Sequence, residues 1–177
     1  MIKYDLSWDD VTPPRSMGRS KFYKQKTDKC CLRLVTKPVQ VDEHWIAENG
    51  KNKSHLCAGA ACPMCKAGNA PSKKYAAYVF DRDSDDEPEL QVWRFGVKVL
   101  NQLAALAKDA DYGDPTSYDI YVHKSGTGQS TNYNITPSAK KQKLDKFELE
   151  KIKNAVPLKE LLHPNLEELK TAAGATP

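Results

Sequence analysis

Three cysteines fall within nine residues, Cys57, Cys62 and Cys65, in a C-x4-C-x2-C pattern, with His55 two residues before the first and His44 thirteen before it. No other feature constrains the fold of this chain as strongly. The five cysteines are odd in number and unevenly spread, which does not suit a disulfide framework. The spacing suits a metal. A C-x-x-C turn places two thiolates on one side of an ion, and a more distant cysteine and a histidine close the tetrahedron from the other side. Gly59, Pro63 and Gly68 supply the tight turns. Three thiolates and one imidazole leave no position for a reactive water, so one structural zinc ion is expected rather than a catalytic one. His44 is the preferred fourth ligand, because a single residue separates His55 from Cys57 and crowds the shell; His55 is the alternative. A redox pair at Cys62 and Cys65 would need a βαβ context that is missing. A zinc deaminase would need His-x-Glu, whereas Trp45 and Ile46 follow His44.

The rest of the chain alternates with period two, except in one stretch. Cys30–Val35 and Val39–Trp45 are expected strands, entered and broken around Lys37-Pro38, with Cys30 and Cys31 as buried, inert thiols. Tyr75–Arg82 and Leu90–Phe95 form an expected hairpin around the acidic turn at 83–88, and Tyr118–Val122 and Thr131–Ile135 a second around the Gly-rich turn at 124–130. Between them, Val97, Leu100, Leu103, Leu106 and Ala107 recur at three- and four-residue steps, which predicts a helix over 96–110. Several strands, one central helix and a final hairpin make a mainly β fold in the order of an OB-fold, a five-stranded Greek-key barrel. Three parts are expected: a basic arm at 1–29, the barrel at 30–143 with a zinc-binding loop subdomain at about 44–72, and a helical C-terminal segment and tail at 144–177. Pro157 and Pro164 break that last segment, and its leucines are expected to pack on their own domain.

Charge adds a direction. The net charge is +4, and residues 146–177 carry five Lys and five Glu, so all of the excess lies earlier. The stretch 15–29 of the arm holds Arg15, Arg19, Lys21, Lys24, Lys26 and Lys29 against Asp28 alone, a pattern suited to a polyanion, and Trp8 or Phe22 could pin the arm. No apolar run is long enough to span a bilayer and the first ten residues do not resemble a secretory leader, so the expected location is the cytoplasm, with no membrane partner.

His44-x12-Cys57-x4-Cys62-x2-Cys65, the aromatic and basic hairpin that follows, the Trp-Arg-Phe-Gly step at 93–96 and the terminal hairpin together resemble the zinc-containing single-stranded DNA-binding proteins of tailed bacteriophages. The resemblance covers about residues 30–143. It implies an OB-fold whose basic, aromatic cleft holds single-stranded DNA during replication, recombination and repair in the host cytoplasm. It also implies a zinc site of one histidine and three cysteines, at His44, Cys57, Cys62 and Cys65. Phage replication or recombination proteins are the implied partners. The chain departs from many such proteins in ending without an acidic tail.

Binding a strand without reading its sequence needs cations for phosphates and flat side chains for bases. The expected base contacts are Tyr75, Trp93 and Tyr121, and the expected phosphate contacts Lys73, Lys74, Arg82, Arg94 and Lys124. Alternation along a strand forces about half of the aromatic residues into the core. An enzyme is disfavoured, since no phosphate loop, dinucleotide glycine pattern or nucleophile elbow is present. The competing expectation is a zinc-braced protein interaction module that ignores DNA and uses the leucines near the C-terminus.

Overall fold

The computed structural model describes residues 22–174. Its strands are β1 (Lys29–Leu34), β2 (Val39–Glu48), β3 (Lys51–Leu56), β4 (Ser72–Asp81), β5 (Leu90–Phe95), β6 (Asp119–Ser125) and β7 (Asn132–Pro137). The helices are α1 (Pro63–Lys66), α2 (Val97–Lys108), α3 (Lys146–Lys153), α4 (Leu158–Leu161) and α5 (Leu166–Gly174). All the strands join one antiparallel sheet in the order β3-β2-β4-β1-β6-β7, with β5 on the remaining edge of β4. None of the helices in the described region is long and apolar enough to cross a membrane.

β1 and β2 are successive pieces of one path along the same edge of β4. Leu34 pairs with Val79 and Val39 with Ala76, so four residues of one strand face two of its partner. Pro38 has no N–H for the ladder, and the Tyr78 N–H donates to Thr36 Oγ1 at 3.0 Å instead of to a backbone carbonyl. Below this bulge the sheet curls over α2. Leu32, Leu34, Val79, Trp93, Phe95, Ile120 and Val122 point inward and meet Val99 and Leu103 of the helix. Burying each such side chain stabilises the fold by roughly 1.5–3 kcal/mol. The helical face differs from the expected one. Val99 and Leu103 are buried while Val97 is 52% exposed, because at 100° per residue Val97 lies well off the line through Val99, Leu103 and Leu106.

The five-strand array β5-β4-β1-β6-β7 would become a closed barrel if β5 paired with β7, and among the described residues it does not. The expected closed Greek-key barrel is therefore an open sheet, for a local reason. Gln102 of α2 reaches the outer edge of β7, its Nε2 donating to the Tyr133 carbonyl at 2.9 Å and its Oε1 accepting from the Ile135 N–H at 2.7 Å. One side-chain amide does there what a neighbouring strand would do. The edge of β5 is met instead by the chain at Phe22 and Tyr23, where the Tyr23 N–H donates to the Val92 carbonyl at 2.9 Å. The part of the basic arm within the described residues thus lies on the sheet; Trp8, Arg15, Arg19 and Lys21 are outside the described residues.

The expected central helix is α2; α3, α4 and α5 lie in the segment expected to be helical, and the short α1 is not an expected element. Leu158 of α4 packs on Ala76, Tyr78 and Val92, and the Tyr78 hydroxyl donates to the Val156 carbonyl at 2.7 Å. α3 starts at a capping box between Asp145 and Glu148. Glu148, 1% exposed, also takes Arg82, while Arg33 bonds Asp119 at 2.6 Å and the Gln142 carbonyl. This buried network ties the C-terminal segment to the outer face of β1, β4 and β6, so Glu148 and Leu158 of that segment serve its own domain, while Leu149 and Leu166 stay exposed.

Candidate metal centre and adjoining groove

The loop expected at 44–72 contains a hairpin. β2 runs on to Glu48 and returns as β3 through Asn49 and Gly50, both at positive φ (50° and 74°), as a two-residue type I′ turn requires. Asn-Gly between extended segments is a strong hairpin signal, and β3 could have been found from it. After β3 the chain folds back over β2, the Cys57 N–H donating to the Asp42 carbonyl at 2.8 Å. Gly59, at φ 65°, turns its N–H to Cys57 Sγ at 3.4 Å and accepts the Cys62 N–H at 3.0 Å. Pro63 then starts α1, whose one turn brings Cys65 back beside Cys62.

His44, Cys57, Cys62 and Cys65 converge, with their four ligand atoms within 4.8 Å of one another. His44 Nε2 lies 3.3 Å from Cys62 Sγ and 3.6 Å from Cys65 Sγ, and Cys57 Sγ lies 3.6 Å from Cys65 Sγ. A tetrahedral ion with bonds of about 2.3 Å to sulfur and about 2.0 Å to nitrogen separates its sulfurs by roughly 3.8 Å, and sulfur from nitrogen by roughly 3.5 Å. The four side chains are thus spaced to hold one metal ion. His44 is fully buried, and its Nδ1 faces Asn69 Oδ1 at 3.1 Å, a partner that turns Nε2 toward the thiols. His55 faces elsewhere: its ring nitrogens lie 3.3 Å from Glu48 and 3.6 Å from Glu168.

The thiols are primed unequally. Desolvation opposes ionisation of Cys62, yet backbone N–H groups of Cys65, Ala58 and Met64 outweigh it and pull this thiol down to about 6. Burial, with the neighbouring Cys65 and Cys62 sulfurs, pushes Cys57 up to about 12. Between these two thiols, the thiolate is favoured at Cys62. Outside the cluster, burial raises Cys30 and pushes Cys31 up to about 11, which leaves both protonated and unreactive.

His44 points to one face of β2, so Glu43 and Trp45 point to the other. That second face opens into two adjoining hollows of about 390 Å³ and 240 Å³ that share Tyr23, Lys24, Lys74, Arg94 and Phe95. The larger lies between β5 and Tyr133 of β7, with Gly96 and Val99 at the start of α2 lining it; the smaller adjoins it over β2 and β5, with Glu43, Trp45 and Val92 in its wall. Lys74 and Arg94, both expected from sequence, meet here.

The other expected contacts are dispersed. Trp93 is 6% exposed and packs on Phe95 inside the core, with only its edge on the groove, so it is a core residue and not a free stacking platform. Tyr75 is half-buried and stacks on Phe95 from the same inner face. Arg82, its side chain 14% exposed, is held by Glu148 and Asp119 and is not available to a phosphate. Lys73 is exposed, but on the face of β4 opposite Lys74. Tyr121 lies on the outer side of β6 under the Lys29 ammonium, at 4.5 Å, and Lys124 is across from Tyr133 at the hairpin end. Sequence reasoning missed Trp45, which is 49% exposed at the groove mouth. Its signal was adjacency: if His44 turns in toward a metal, the next residue on the strand must turn out. Among known protein families and curated proteins, none matches this chain to a significant level.

Proposed function

We propose that this protein is a non-enzymatic binder of single-stranded DNA, with one structural zinc ion at His44, Cys57, Cys62 and Cys65 bracing the wall of its binding groove. The observation that carries the reading is the groove itself: Lys24, Lys74 and Arg94 line both hollows, one opening toward the exposed Trp45 and the other toward the gap of the open five-strand array. On this reading the array is an OB-fold variant, and the gap is where the strand lies. Each base stacked on an aromatic ring contributes roughly 1–3 kcal/mol, and each neutralised phosphate adds a salt-dependent term. Neither interaction reads sequence. Three thiolates and an imidazole suit zinc, and four protein ligands leave no site for catalysis. The function matches the resemblance to phage proteins that protect single strands in replication, recombination and repair, whose partners would be the proteins of those processes.

A tryptophan-fluorescence titration with oligo(dT) and with duplex DNA of equal length, at low and moderate salt, tests this. Quenching by the single strand alone, weakening with salt, is the expected result. Equal response to both nucleic acids, or none, overturns it. A protein interaction module is the second reading, favoured by Phe147, Leu149 and Val156, which stay 39%, 51% and 42% exposed on the C-terminal segment. Silence toward both nucleic acids would favour it.

A further inference from the structure

A carboxylate in a groove for a polyanion works against binding, yet Glu43 lines the smaller hollow beside Lys74 and Arg94. It is 2% exposed and engaged on both oxygens. Its Oε1 accepts from the Trp45 indole Nε1–H at 3.0 Å. Its Oε2 accepts from Ser54 Oγ at 2.8 Å and from Arg94 Nη1 at 3.1 Å. The same Arg94 nitrogen lies 3.3 Å from Ser54 Oγ, and the Phe22 ring lies 5.3 Å from the guanidinium carbon. Arg94 sits on β5, two strands from Glu43. It reaches across β4 where that strand presents Ala76, the residue directly opposite it.

We infer that Glu43 is a positioning residue that sets a nucleotide-sized subsite, holding the Trp45 ring ready for a base and the Arg94 guanidinium beside it for the adjoining phosphate. This deepens the single-strand reading above and rests on it. An exposed indole that had to be immobilised on binding would lose rotamer freedom, and a carboxylate that fixes the ring beforehand removes that loss. The volume of about 240 Å³ suits one base and not a stack of several. Electrostatics alone predicts the reverse of positioning. Removing the negative charge would free Arg94, tighten binding and steepen its salt dependence.

The test is Glu43→Gln in the full chain, measured with oligo(dT). Positioning predicts binding weaker by about three- to tenfold, with a shift and faster exchange of the Trp45 indole N–H resonance, identified by its loss in Trp45→Phe. Bound metal should stay at one ion per chain. Rescue by Glu43→Asp, in part, is also expected. Binding that is equal or tighter in Glu43→Gln, with metal content intact, overturns the inference and leaves the single-strand reading standing. If Glu43→Gln loses its metal or its fold, Ser54→Ala decides: it removes one anchor of the carboxylate and leaves Glu43, Trp45 and Arg94 in place, so weaker binding with a shifted Trp45 indole N–H resonance supports positioning and unchanged binding overturns it. A wild-type protein that ignores oligo(dT) removes the premise and the inference with it.

Discussion

The sheet around β1, β4 and β6 and the lobe around β2, β3 and α1 belong to one hydrogen-bonded array, yet different forces hold them. The first buries a continuous set of large apolar side chains against α2, from Leu32 and Leu34 through Val79 to Ile120 and Val122. The second has Ile46 and Met64, one of the cysteines, and what α5 brings it in Leu169 and Ala172. Its edge strand β3 starts with three exposed residues, Lys51, Asn52 and Lys53. A lobe with so little to bury cannot offset the entropy of ordering its loops by the hydrophobic effect alone. Four convergent side chains spaced to hold an ion would supply the difference once an ion is bound. In this chain the metal ligands stand where the apolar pattern runs out.

Metal removal should separate the two regions most sharply. Ligation free energy in small zinc domains is on the order of 10–16 kcal/mol and is also folding free energy. Chelation, or Cys62→Ser, is expected to lower Tm strongly and to speed amide exchange in β2, β3 and α1 while β1, β4 and β6 keep their protection. Uniform loss across the sheet, or no change in Tm, would break the distinction.

A cavity in either region gives the next largest effect. Leu32→Ala should cost about 2–5 kcal/mol in denaturant unfolding whether or not metal is bound. Met64→Ala should lower the stability of the metal-loaded protein and change little once the metal is gone. Equal behaviour of the two variants after chelation would mean that the lobe has a core of its own.

The hairpin turns offer the smallest contrast. Asn49 stands at φ 50° between β2 and β3, and Asn49→Ala should cost roughly 1 kcal/mol, felt mainly in the lobe. Gly126 stands at φ 76° at the end of the β6–β7 hairpin, where an added Cβ would meet the Ser130 carbonyl oxygen at 2.4 Å. Gly126→Ala should therefore cost more than Asn49→Ala and be felt in the main sheet, as thermal unfolding and amide exchange of the two variants would show.

Much of this was legible in the chain. The C-x4-C-x2-C spacing selected the metal cluster, and the period-two runs located β1, β4, β5, β6 and β7 to within a few residues. The Asn49-Gly50 turn carries the β2–β3 hairpin as well. Alternation puts Tyr75 and Val79 on one face of β4 and Tyr78 on the other, and the structure has them so. What it does not say is which face is covered. Trp93 went inside because β5 lays that face over α2, and Arg82 was taken by Glu148, 66 residues later in the chain.

Features that depend on neighbours along the chain are written locally: ligand spacing, strand and helix periods, and the residues that permit tight turns. Local geometry repeats every two or 3.6 residues, so a short stretch carries it in full. Which edges pair, which aromatic ring stays in water and which cation is already engaged were settled by the folded chain as a whole. Those outcomes turn on contacts between distant segments, such as Gln102 on the edge of β7 and Glu43 beneath Trp45 and Arg94. Each is a choice among partners that the local pattern leaves equivalent, and only the packing of the whole sheet ranks them.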